Sequence, residues 1–251
     1  MMPDDERLHA RDFTRANYRR LLQLAKAKYP FSTYPQADFA GRFLLWRHDV
    51  DMSIHSSERL AEIEADEGVR ATYFLLVHSH YYNLFESEIR DRVKRILGLG
   101  HSIGLHFDTG FHNVTTVTGL EPALALEQRW LQDLFGAEIQ AFSFHDPAAF
   151  ATSCEELRYA GMINCYARPF REQVGYCSDS NGYWRHRRLE DVLVAAENER
   201  LQVLTHPEWW LDEPMPPRQR VQYCIDGRAA YLKARYDEGL KAINRLNVSD
   251  K

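Results

Sequence analysis

From Phe43 onward, short apolar runs alternate with amphipathic stretches, and this alternation restricts the fold more than any other feature of the chain. The runs at 43–49, 71–77, 102–107, 139–144, 163–167 and 201–205 have the length and the β-branched or aromatic content of strands. Between most of them, residues 57–67, 86–99, 122–135, 154–160 and 189–198 carry helical periodicity. Gly68, Gly100, Gly136 and Gly161 each close an amphipathic stretch just before a strand, where a helix is expected to end in a left-handed cap. Units of about thirty residues, the length of a strand–helix–strand crossover, imply parallel strands with helices outside. The sheet is then either a closed or distorted barrel or a doubly wound sheet. A helix at 13–28 precedes this pattern and a helical tail at 217–246 follows it. With no linker or repeat in between, residues 1–251 read as one domain.

Several function classes are disfavoured. A net charge of −5 gives no global basic field for nucleic acid. The cluster Arg185-His186-Arg187-Arg188 is a local exception, read as a solvated turn before a helix. No strand is followed by a glycine-rich phosphate loop, which argues against dinucleotide or nucleoside triphosphate binding. No run has membrane-spanning length, and the charged start Met-Met-Pro-Asp-Asp-Glu-Arg is unlike a signal peptide. Cys154, Cys165, Cys177 and Cys224 lack paired spacing and suit reduced thiols, so a cytoplasmic protein is expected.

The strand ends are where the chemistry gathers. The first run ends in Arg47-His48-Asp49-Val50-Asp51, and alternation puts Arg47, Asp49 and Asp51 on one face with His48 and Val50 on the other. Carboxylates crowded on one face need a cation, either a metal or an arginine. Later runs end in His78-Ser79-His80, His106-Phe107-Asp108, His145-Asp146-Pro147, Arg168-Pro169 and His206-Pro207. In barrels built of such units the active site lies at this rim. Eleven histidines scattered at random would not collect there.

The ordered set "RHDVD", "RATYFLLVHS", "LGHSIGLHFD", "FSFHDP" and "VLTHPEWW", from Phe43 to Trp210, resembles the polysaccharide deacetylase family, the NodB-type carbohydrate esterases. The resemblance implies a distorted (β/α) barrel, seven-stranded, that holds a divalent metal, zinc being expected, and removes N-acetyl groups from amino sugars. It makes Asp49 the general base, Asp51 and His106 metal ligands, and His206 the general acid toward the departing amine. General chemistry supports the division: a water attacking an amide carbon must lose a proton, and an amine cannot leave as its anion. His101 then has only a structural role.

The pattern departs from the family in two places. Val50 separates two acids that are usually adjacent, and Gly110 stands where a second metal histidine is usual. Asp108, on the same strand face as His106, or His112, from the following loop, is expected to supply the third ligand. Arg47, His145, Asp179, Trp184 and Trp209 are assigned to the substrate side, with core packing the alternative for the tryptophans, Trp210 included. The expected substrate is a small intracellular amino sugar or sugar nucleotide, stacked on the pairs Tyr81-Tyr82, Tyr183-Trp184 and Trp209-Trp210. Three other readings compete: a sugar-binding relative without activity, a metal-independent amide hydrolase, and a haloacid-dehalogenase-type phosphatase using Asp49 and Asp51. The last leaves His106 and His206 without a task.

Overall fold

The structure, a computed structural model, describes residues 9–147, 149–184 and 186–248. Arg185 of the basic cluster and the charged start of the chain lie outside the described residues. The strands are β1 (Phe31–Ser32), β2 (Phe43–Val50), β3 (Thr72–Leu76), β4 (Ser102–Asp108), β5 (Ala141–His145), β6 (Arg158–Tyr159), β7 (Met162–Asn164), β8 (Gly175–Ser178) and β9 (Arg200–Thr205). The α-helices are α1 (Arg15–Lys26), α2 (Ile54–Asp66), α3 (Ser87–Gly98), α4 (Val117–Phe135), α5 (Ala149–Ser153), α6 (Arg168–Gln173), α7 (Leu189–Ala195) and α8 (Pro217–Ala242).

One curled sheet runs in the order β6-β7-β5-β4-β3-β2-β9-β8, with β1 added beside β2. From β7 to β8 all seven neighbouring strands are parallel; only β6 is antiparallel, at the edge. This is an open, distorted (β/α) half-barrel built from parallel crossovers, as the alternation of apolar and amphipathic runs requires. Among the described residues no helix is long and apolar enough to cross a membrane. The four cysteines are free thiols, of which Cys154, Cys165 and Cys177 are buried.

Two apolar clusters flank the sheet. The larger joins its outer face to the helices through Tyr18, Leu21, Trp46, Leu60, Tyr73, Val93, Leu124 and Trp210. The smaller fills the concave face with Tyr34, Phe43, Leu45, Phe74, Ile163 and Phe170. Alternation along β2 therefore puts Phe43 and Leu45 on the floor of the concave face and Arg47 and Asp49 above them. His48 faces the other way. Its Nε2 donates to Glu64 Oε1 at 2.6 Å and its Nδ1 lies 2.7 Å from Thr205 Oγ1, and Tyr18, Tyr73 and His101 complete that buried network. His101 also bonds the backbone of Ala71 and Ala61, the structural role expected of it.

Several elements differ from the expectations. The stretch 154–160, expected to be a helix, is instead a bend and strand β6, paired with β7 through the tight turn Ala160-Gly161. Both turn residues have positive φ, the geometry that a two-residue hairpin demands and a helix forbids. Strands β1 and β8 were not expected, because each is too short to show a period. Helix α4 begins at Val117, five residues ahead of Pro122, with Thr116 capping the amide of Gly119.

Candidate active site and metal centre

The C-terminal ends of the strands border a cavity of about 960 Å³, whose lining includes Asp49, Asp51, His106, His145, His206 and Trp209. At its base, Arg47 is fully buried and donates from Nη2 to Asp49 Oδ2 at 3.1 Å and to Tyr166 Oη at 3.3 Å. The other Asp49 oxygen accepts from Ser143 Oγ at 3.1 Å. Each carboxylate oxygen has two lone pairs, so Asp49 retains acceptor capacity toward the cavity it lines.

A hydroxyl carries one proton. Since Ser143 gives its proton to Asp49, it must accept from His106 Nδ1, 2.7 Å away. His106 Nδ1 therefore carries a proton, and Nε2 faces Asp51 Oδ1 at 3.2 Å, either protonated or, in the neutral ring, as a lone pair. His145 Nδ1 lies 3.3 Å from the same Nε2 and 3.6 Å from the same oxygen. Asp51 Oδ1 is buried and has no hydrogen-bond partner. Lone pairs converging on one point repel unless a proton or a metal cation lies between them.

The charges around this point agree. Burial opposes ionisation of Asp51, yet His106, His145 and His206 together hold its carboxyl well below the usual range. The Asp51 carboxylate in turn raises His145 above the ordinary imidazole value, against burial. Asp51, His106 and His145 present one carboxylate oxygen and two imidazole nitrogens within 4.8 Å of one another. Two imidazoles with one carboxylate are a zinc-type donor set that leaves room for substrate, so the residues present fit a divalent cation.

His206 approaches the other oxygen of Asp51, its Nε2 3.9 Å from Oδ2. Buried Asp179 accepts from His206 Nδ1 at 2.6 Å and from the His206 backbone amide, while Trp210 Nε1 donates to its second oxygen. The imidazole is thereby locked with Nε2 toward the cavity. Burial lowers the pKa of His206, but the Asp179 charge and hydrogen bond outweigh it and push the value up to about 10. His206 is a proton donor at neutral pH. If it protonates a leaving group, activity falls as pH rises through its pKa. In Asp179→Asn, the alkaline limb of kcat/KM should move to lower pH, as read from the pH–rate profiles of both proteins. An unmoved limb would separate His206 from that titration.

The structure gathers some of the expected site residues and separates others. Asp49, Asp51, His106 and His206 meet at one cavity, with Arg47 beneath Asp49 and Asp179 behind His206. His145, assigned to the substrate side by sequence, instead joins Asp51 and His106 in a group that could hold a metal ion. Asp108 and His112 do not reach it. Asp108 Oδ1 accepts from Gly110 N at 2.7 Å and shapes the turn after β4, while His112 Nε2 bonds Glu127 Oε1 at 2.6 Å. Trp184 is a core residue: it stacks on Phe13 and donates to Asp12, which also takes both bonds from Arg188. Of the three aromatic pairs, Tyr81 and Trp209 line the cavity, whereas Tyr82, Trp184 and Trp210 are buried away from it. Tyr166 and Tyr176 line it as well.

Sequence reasoning missed Ser143 and Glu208. Ser143 lies two residues before His145 on β5, so alternation puts both on the cavity face, a signal that was available. Glu208 is fully buried with neither oxygen bonded to another side chain, and burial and the Asp51 charge raise its carboxyl well above the usual range.

The chain matches no protein-family model and no curated protein. Its fold is similar to that of several solved structures. A family 4 acetyl xylan esterase from Clostridium thermocellum in complex with a cobalt ion is 14% identical over 81% of this chain and 92% of that one, with a TM-score of 0.43. The peptidoglycan deacetylase PdaC from Bacillus subtilis is 11% identical over 82% of this chain and 98% of that one, with a TM-score of 0.46. A mutant of a CE4 family pseudoenzyme with restored enzymatic activity is 14% identical over 79% of this chain, which spans only 65% of that one's length, with a TM-score of 0.45.

Proposed function

We propose that the protein is a metal-dependent hydrolase that removes an N-acetyl or other N-acyl group from a small amino sugar or sugar nucleotide. The observation that carries the reading is the meeting of these groups at one cavity. Asp49 Oδ2 lies 3.9 Å from His106 Nδ1, and His206 Nε2, backed by Asp179, lies 3.9 Å from Asp51 Oδ2, so both groups border the Asp51–His106–His145 cluster. Amide hydrolysis needs a proton acceptor and a proton donor on opposite sides of a polarised carbonyl.

Asp51, His106 and His145 would hold the cation. When bound, it supplies Lewis-acid polarisation of the acyl oxygen and lowers the pKa of a coordinated water. Asp49 accepts the proton of the attacking water, and the buried Arg47 compensates its charge. Ser143 ties Asp49 to His106, so base and ligand keep one geometry. His206 Nε2 delivers a proton to the nitrogen as its bond to carbon breaks. Tyr81, Tyr166, Tyr176 and Trp209 give flat surfaces for a sugar ring, and Trp209 Nε1 has no protein partner.

The cavity volume is within the range that encloses a small ligand. Purified protein should therefore release acetate from a monomeric N-acetylated amino sugar or its nucleotide conjugate faster than from chitin or peptidoglycan. Acetate release from the polymers alone would contradict the substrate class.

A further inference from the structure

A second group of metal-type side chains lies outside the cavity. His78 follows β3, His112 sits in the turn after β4, and Glu127 is on α4; none of them lines the cavity. One ligand atom from each lies within 4.8 Å of the others. His112 Nε2 is 2.6 Å and His78 Nε2 3.2 Å from Glu127 Oε1. We propose that His78, His112 and Glu127 form a second divalent-cation site of the zinc class, separate from the one at Asp51.

Glu127 is the residue that demands an explanation. On α4 the buried positions are Leu120, Leu124, Glu127, Leu131 and Phe135, an apolar stripe with one fully buried carboxylate in it. A carboxylate on such a stripe requires a cationic partner. One imidazolium does not complete the site. With His112 bonded to Oε1, Glu127 Oε2 and His78 Nε2 both remain buried without a hydrogen-bond partner. A metal ion accepts all three residues at once, and two imidazoles with a carboxylate are a preferred donor set for zinc.

The rings are also fixed in place. Phe111 stacks on His78 with centroids 3.7 Å apart and planes 10° apart, and Phe107 lies parallel to His112 at 5.5 Å. A cation here joins the segment after β3, the turn after β4, and α4. His80 and Tyr81, just beyond His78, line the cavity, so the clamp would hold that wall.

The test is the zinc stoichiometry of chelator-stripped full-length protein, read by titration with Zn²⁺ and elemental analysis after dialysis. Two equivalents are expected for the unmodified protein, one each for Asp51→Asn and Glu127→Gln, and none for the double variant. Zinc at about 100-fold over Kd should raise the Tm of Asp51→Asn by about 5–10 °C and leave that of the double variant unchanged. Should Glu127→Gln fail to fold, His112→Asn, at a partly exposed position, takes its place in both measurements. If Glu127→Gln or His112→Asn binds as many equivalents as the unmodified protein, the second site does not exist. If Asp51→Asn keeps every equivalent and Glu127→Gln loses one, the second site stands and the ligand assignment at the first fails.

Discussion

Asp51→Asn should remove one equivalent of metal and reduce N-deacetylation by about 10³-fold or more, because a Lewis acid supplies several kcal/mol of transition-state stabilisation. The substitution is nearly isosteric, so the loss isolates charge from shape. Asp51 Oδ1 is the oxygen toward which His106 and His145 converge, and an amide in its place is a far weaker ligand for a hard or borderline cation. Fold disruption should be small, since Asp51 follows β2 and makes no side-chain hydrogen bond to the sheet through Oδ1. Elemental analysis and acetate release on the same preparation check both halves. Metal retained at full occupancy with activity lost would make Asp51 a reacting group and not a ligand.

Replacing the proton-transfer groups should lower kcat by about 10²–10⁴-fold for each of Asp49→Asn and His206→Ala, with the first losing the acidic limb of the pH profile and the second the alkaline limb. The signs follow from the roles: Asp49 must be ionised to accept a proton, so activity is lost as pH falls, and His206 must be protonated to donate one, so activity is lost as pH rises. An ester analogue with a good leaving group needs little protonation. It should rescue His206→Ala far more than Asp49→Asn. Equal rescue of both variants would break this division of labour.

The parallel sheet was legible because its strands and helices differ in period and because glycines punctuate them; the left-handed caps at Gly68 and Gly136 stand where expected. The hairpin β6–β7 was not legible, since Ala160-Gly161 reads equally as a helix end. At the site, residues within one strand could be grouped from alternation alone, as Arg47, Asp49 and Asp51 were. Residues from different strands could not be ranked, because sequence does not reveal register. His106 pairs with Ser143 and Asp108 with His145, which brings His145 to Asp51 from the neighbouring strand. His112, nearer in sequence, is drawn instead to Glu127, a partner hidden in the apolar stripe of α4. Trp184 shows the complementary limit: a tryptophan beside polar residues reads as a sugar platform until its packing against Phe13 is seen.

The central claim is that amide hydrolysis in this cavity depends on a cation held by Asp51, His106 and His145. The most direct measurement is acetate release from a monomeric N-acetylated amino sugar by purified protein before chelation, after chelation, and after zinc or cobalt is restored. Loss of activity with the metal and recovery on its return is the result expected. Turnover that continues in metal-free protein, with metal content verified by elemental analysis, would contradict it.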